Sequence, residues 1–106
     1  MKIWLDDCRK APEGWTAVFH SEDVKTEIER CQRLGIAVDE LSLDNDLGLG
    51  EPEGRTVLDW LEEKAFTEPE FILPRKISVH SANPCARARM EVVIGRLQDM
   101  DRRRRT

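Results

Sequence analysis

Long apolar runs are missing from this 106-residue chain. None approaches the roughly 20 residues needed to span a bilayer, and none follows the basic start as in a secretory leader. The expectation is a cytoplasmic protein without membrane contact. A C-x-x-C pair is missing as well. The three cysteines, Cys8, Cys31 and Cys85, are odd in number and far apart, which suits reduced thiols and excludes a disulfide frame or structural zinc site. There is no internal repeat and no low-complexity linker, so the chain reads as one continuous unit. Excess positive charge is also lacking. Of 17 basic residues, four are Arg102 to Arg105, which leaves 13 against 21 acids over residues 1–101, a formal charge of −8 there. A surface that coats nucleic acid needs clustered cations, so that class is excluded. The expected division is one domain over residues 1–101 and a basic tail over 102–106. The tail either touches RNA or an acidic partner, or is a frayed, solvated end.

What is present is a 40% apolar, 36% charged composition, enough for one core under a charged exterior. Lys2–Leu5 is a short apolar run stopping at two aspartates, and Thr16–Phe19 is a second run of strand formers. Between them Cys8–Trp15 carries Pro12 and Gly14, turn chemistry too short for a full helix. Ser21 reads as a helix N-cap followed by Glu22 and Asp23. Val24, Ile28, Cys31 and Leu34 then recur at helical spacing up to Gly35. Glu40–Leu43 is a third strand, ending on Asp44, and Asn45–Gly54, with three glycines and a proline, is a loop. Thr56 with Asp59 resembles a capping box, before an apolar face of Val57, Leu58, Trp60, Leu61 and Ala65. Lys76–Val79 is the last strand. Asn83 caps a third helix that starts at Pro84 and carries Met90, Val93, Ile94 and Leu97 on one stripe.

The order β, loop, β, α, β, α, β, α argues for a parallel sheet with helices on both faces and strand order 2-1-3-4. Asp6 and Asp7 end the first strand, Asp44 the third, and His80 with Ser81 the fourth. In a parallel sheet these ends share one edge, where ligands bind at the reversal of strand order. Two unit charges about 4 Å apart repel by about 1 kcal/mol in water and about 4 kcal/mol at an effective dielectric near 20. Converging carboxylates therefore call for a hard divalent cation, and Mg²⁺ suits a few carboxylates plus waters. The plainer alternative is solvated loop-entry acids. Such a cation would also accept phosphate, with Arg9 as a bidentate clamp. Ser81 and Asn83 lie at a helix N-terminus, and Arg87 lies one turn into that helix. Solvated surface arginine is the other reading of Arg87.

Two other site classes fail on spacing. An EF-hand begun at Asp44 puts Asp46 at position three but Gly48 at five, Leu49 at six and Arg55 at twelve, so the required glycine and glutamate are missing. Two-histidine phosphoesterases need His and Ser two residues apart in two copies, whereas His20 and His80 are each followed directly by serine. His80 alone could move a proton to a leaving oxygen or serve as a hydrogen-bonding residue of the fold. Cys8 and Cys85 read as small packed thiols or as reactive ones. Trp15 stacks a base or closes a glycine-tryptophan packing corner.

The runs Leu5-Asp6-Asp7-Cys8-Arg9, Pro12-Glu13-Gly14-Trp15, Ser42-Leu43-Asp44-Asn45-Asp46-Leu47-Gly48 and Val79-His80-Ser81-Ala82-Asn83-Pro84 resemble the cyclic-phosphate processing receiver-like domain. That family is a divergent relative of response-regulator receivers. The resemblance covers about residues 2–100 and implies a truncated receiver-like (flavodoxin-like) three-layer α/β fold, with a four-stranded parallel sheet flanked by three main helices. It implies that Asp6 and Asp7 bind Mg²⁺ or Mn²⁺, that Asp44 accepts a phosphoryl group or acts as a ligand, and that Ser81 contacts the phosphate. Asp46 sits where the receiver's third metal ligand is a main-chain carbonyl, which makes the implied metal set Asp6, Asp7, Asp44 and Asp46.

The sequence departs from receivers in two ways. The fifth strand with its phosphate-pairing lysine is missing, and the first receiver helix is replaced by Cys8–Trp15. Where the family often carries histidine, this chain has Asn45. Arg9, His80 or Arg87 would have to supply the positive charge. The implied function is Mg-dependent phosphoester processing at a cyclic or terminal phosphate of a nucleotide or RNA end, in RNA-end processing with Asp44, His80 and Ser81 catalytic. The alternative is a non-catalytic signalling module, phosphorylated on Asp44 and docking a protein of an RNA-repair or signalling system.

Overall fold

The computed structural model describes residues 1–48 and 50–105, the side chain of Arg105 excepted. Leu49, which fell in the expected Asn45–Gly54 loop and the rejected EF-hand, and Thr106 of the expected tail lie outside the described residues. The elements are β1 (Lys2–Leu5), β2 (Thr16–Val18), α1 (Ser21–Leu34), β3 (Glu40–Leu43), α2 (Arg55–Thr67), β4 (Lys76–Val79) and α3 (Pro84–Arg105). The four strands form one parallel sheet of order β2-β1-β3-β4, with Ile3 opposite Thr16 and Leu41, and Leu41 opposite Ile77. The α/β class and strand order are those expected.

The distribution of helices is not. Ile3, Leu5, Val18, Leu41, Leu43 and Ile77 share a single core with Val24 and Ile28 of α1, Val57, Leu58 and Leu61 of α2, and Met90, Ile94 and Leu97 of α3. Helix α2 packs between α1 and α3, so the described helices form one layer on one face, and the expected second helical layer is not seen among the described residues. The cause lies in the connections. The steps β2 to β3 and β3 to β4 run in the same direction across the sheet, and right-handed crossovers place both helices on the same side. Only β1 to β2 steps the other way, and it is too short for a helix. The opposite face presents Lys2, Trp4, Ser42 and Ser78, which alternate with the core residues along their strands. Trp15 of the connecting loop packs edge-on against Trp4 there, ring centroids 5.8 Å apart.

Three local expectations are corrected. His20, not Ser21, is the N-cap of α1; the Ser21 hydroxyl instead reaches the carbonyls of Pro52 and Glu53 at 3.2 and 3.1 Å, tying α1 to the loop before α2. Helix α2 starts at Arg55 without a side-chain cap on Gly54, and Thr56 bonds back to the Glu53 carbonyl at 2.7 Å rather than forming a capping box. Leu34 faces solvent. The stop at Gly35 holds: its φ of 68° is left-handed, and its N–H serves the α1 carbonyls. The basic run is not a frayed end either, because α3 continues to Arg105. Arg104 donates to the carbonyls of Phe71 and Glu68 at 2.9 and 3.0 Å and to that of Pro69, covering acceptors beyond the end of α2, while Arg102 and Arg103 pair with Asp99. No helix among the described residues is long and apolar enough to cross a membrane.

Candidate metal and phosphate site

The sheet ladder runs one residue past each of three strands. Asp6 N–H donates to the Val18 carbonyl (3.1 Å), Asp44 N–H to that of Leu5 (2.9 Å) and His80 N–H to that of Leu43 (3.0 Å). Parallel pairing thereby aligns Asp6, Asp44 and His80 along the C-terminal edge. Adjacent aspartates on a strand point to opposite faces, but the chain turns after Asp6. The carboxylate oxygen Oδ1 of Asp6 accepts the N–H groups of Cys8 (2.8 Å) and Arg9 (2.9 Å), an Asx-type turn that brings Asp7 back toward the edge. One carboxylate oxygen from each of Asp6, Asp7 and Asp44 lies within 4.8 Å of the other two.

The three acids differ in setting. Asp6 is buried, Asp44 half-buried and Asp7 exposed. Burial opposes ionisation of Asp6, but the N–H groups of Arg9 and Cys8 and the imidazole of His80 outweigh it and hold its carboxyl below the ordinary carboxylate value. Asp44 goes the other way: burial, then the like charge of Asp6, push it up, against the N–H groups of Asn45 and Asp46 and the His80 ring. A carboxylate disfavoured by a like charge is what a cation would relieve, and the all-oxygen donors suit a hard divalent ion.

His80 has both ring nitrogens engaged. Nε2 meets Asp6 Oδ2 at 3.1 Å and Nδ1 meets Ser42 Oγ at 2.8 Å, while the ring lies on Trp4, 3.8 Å between centroids and 6° from parallel. Burial pushes the imidazole below its ordinary value, against the pull of Asp6 and Asp44. Arg9 donates from Nη1 to the His80 carbonyl at 2.8 Å and holds Nε 3.9 Å from Asp6 Oδ2, which puts a cation beside the acids. Ser81 is buried and accepts the Asn83 N–H at 3.2 Å.

The remaining expected residues point elsewhere. The Asp46 side chain is exposed and is not in the acidic group found among the described residues; its main-chain N–H, not its carboxylate, serves Asp44. Asn83 spends its carbonyl oxygen capping α3, accepting the N–H groups of Cys85 and Ala86 at 3.1 and 3.2 Å. Arg87 pairs with Glu91 on its own helix at 3.1 Å. Asn45 is buried and accepts the Arg55 N–H at 3.2 Å while donating to Glu53 at 3.1 Å, a framing residue for the start of α2. Cys8 and Cys85 are exposed, not packed, and Cys31 is buried.

Sequence reasoning missed Ser42, Ser78, Trp4 and Gly54. Ser42 and Ser78 were visible as polar residues inside apolar strands, on the face that Trp4 shares. Gly54 left no comparable signal, since its constraint is a close approach of main chain to main chain.

A four-stranded parallel sheet with acids gathered at its carboxyl edge defines a receiver-like α/β domain. A sequence profile of the cyclic-phosphate processing receiver domain matches residues 1–96. The chain belongs to that family. No curated protein and no solved structure matches it.

Proposed function

We propose that this domain processes phosphoesters with the help of Mg²⁺ or Mn²⁺, acting on a cyclic or terminal phosphate of a nucleotide or RNA end. The observation that supports this reading is the approach of Asp6, Asp7 and Asp44 to within 4.8 Å at one sheet edge, in a chain of a family described by cyclic-phosphate processing. Asp6 and Asp7 would hold the cation together with Asp44. When bound, the ion neutralises the acids and draws phosphoryl oxygens to the edge. Arg9 stands next to Asp6, where its guanidinium can turn toward an oxyanion. The Ser81 hydroxyl, accepting from Asn83, keeps its own proton for donation to a second oxygen. Asp44, whose carboxyl is pushed up by burial and by Asp6, would act as ligand or nucleophile toward phosphorus.

The test is incubation with 2′,3′-cyclic nucleotides and, separately, with a small phosphodonor, each with Mg²⁺. Turnover of the cyclic nucleotide that disappears in Asp44→Asn and on chelation is the expected result. Stoichiometric labelling of Asp44 without turnover would replace this reading with the signalling module, and the absence of both turnover and labelling would remove phosphoryl chemistry from the site altogether.

A further inference from the structure

We propose that His80 is a positioning residue, its ring held with Nε2–H on Asp6 by a one-way chain of hydrogen bonds, Ser78 to Ser42 to His80 to Asp6. The chain starts on the sheet face that no described helix covers. Ser78 Oγ lies 3.2 Å from Ser42 Oγ, Ser42 Oγ 2.8 Å from His80 Nδ1, and His80 Nε2 3.1 Å from Asp6 Oδ2. An ionised carboxylate only accepts, so Nε2 must carry the proton. In a neutral ring Nδ1 then has only a lone pair, and Ser42 must donate to it. Having given its single proton to His80, Ser42 can only accept from Ser78. Trp4, stacked at 3.8 Å and 6°, fixes the plane of the ring. The consequence falls on Asp6. Oδ1 already accepts two main-chain N–H groups, and His80 takes one direction on Oδ2, so one lone-pair direction of Oδ2 is left for the acidic site. His80 therefore aims Asp6, as a hydrogen-bond partner aims a metal ligand, and its nitrogens are not free for substrate. The role assigned to Asp6 as a ligand rests on the metal reading above; the tautomer does not.

Two measurements on the full chain separate the claims. In metal-free protein at neutral pH, ¹⁵N-detected correlation of the His80 ring is expected to show the Nε2–H tautomer alone. An Nδ1–H or mixed ring overturns the proposal. Calorimetric titration with magnesium is expected to weaken by about ten-fold or more in His80→Ala and to recover in His80→Gln, whose side-chain amide can still donate to Asp6. Unchanged affinity in His80→Ala, or no recovery in a folded His80→Gln, overturns it as well. A wild-type protein that takes up no magnesium sinks the metal reading instead, and the ring spectrum then decides the relay by itself.

Discussion

Gly54 and Asp44 meet main chain to main chain: a methyl group built on Gly54 would stand 1.7 Å from the Asp44 carbonyl oxygen. The Gly54 N–H also donates to the Asn45 carbonyl at 2.9 Å. The loop before α2 is thus pressed directly onto the strand end that carries the central acid. Because the obstacle is backbone, it cannot rotate away. Gly54→Ala is expected to lower stability by about 3 kcal/mol, the upper part of the usual overpacking range, and to displace Asp44. Urea denaturation measures the first and magnesium titration the second; a variant matching wild type in both would show that the two segments separate at little cost.

Asp44 itself opposes folding when no cation is present. Its carboxyl is raised in the folded chain by burial and by Asp6, so between its unfolded and folded values the native state binds the extra proton. Stability then falls as pH rises through that window and stays lower above it. Asp44→Asn removes the ionisation. In chelator-treated protein at pH 7 the substitution should stabilise by about 1 kcal/mol, the water-screened repulsion of two charges near 4 Å, or ~4–8 °C in Tm for a domain of this size. The gain should vanish below the unfolded carboxylate range and shrink on adding magnesium to the wild type. A Tm for Asp44→Asn at or below wild type at pH 7 would contradict the assignment.

Much of this architecture was legible in the residues. The bounds of β1, β3 and β4, the stop at Gly35 and the Asn83-Pro84 start of α3 follow from apolar runs, a left-handed glycine and cap chemistry, all local signals. The convergence of Asp6 and Asp44 followed from parallel pairing, and Asp7 joins them through the turn held by Asp6 Oδ1. What escaped was set by partners distant in sequence. Ser21 looks like a cap until the carbonyls of Pro52 and Glu53 claim its hydroxyl. Arg102–Arg105 look like a loose tail until Arg104 finds the carbonyls of residues 68, 69 and 71. The single helical layer is marked by alternation in β1, β3 and β4, where Lys2, Ser42 and Ser78 lie on the side that no described helix covers.

Arg9 and Arg87 are both candidate phosphate ligands, and their surroundings differ. Arg9 stands 3.9 Å from Asp6, whereas Arg87 is committed to Glu91. Arg9→Ala should weaken binding of inorganic phosphate in the presence of magnesium by roughly ten-fold, the value of one charge-assisted hydrogen bond. It should also tighten magnesium itself by roughly two- to five-fold, since a half-exposed positive charge leaves the acidic group. Opposite signs for the anion and the cation are the signature. Arg87→Ala should change neither, and calorimetry on both variants checks the pair; equal losses in the two would return Arg87 to the site.

The thiols give a test that depends on the fold alone. Cys8 and Cys85 are exposed, while Cys31 is buried beneath α1 with its Sγ 3.6 Å from the Met1 sulfur. Burial, and after it the charge of Glu27, raise the Cys31 thiol; since the thiolate is the reacting form, lack of access and lack of charge act together. A chromogenic disulfide reagent at pH 8 should therefore titrate two thiols promptly in native protein and the third only at the rate of unfolding. In denaturant all three should react together. Prompt reaction of three thiols in native protein would mean that α1 does not lie on the sheet as described, and with it would go the core formed by Cys31, Ile28 and Leu41.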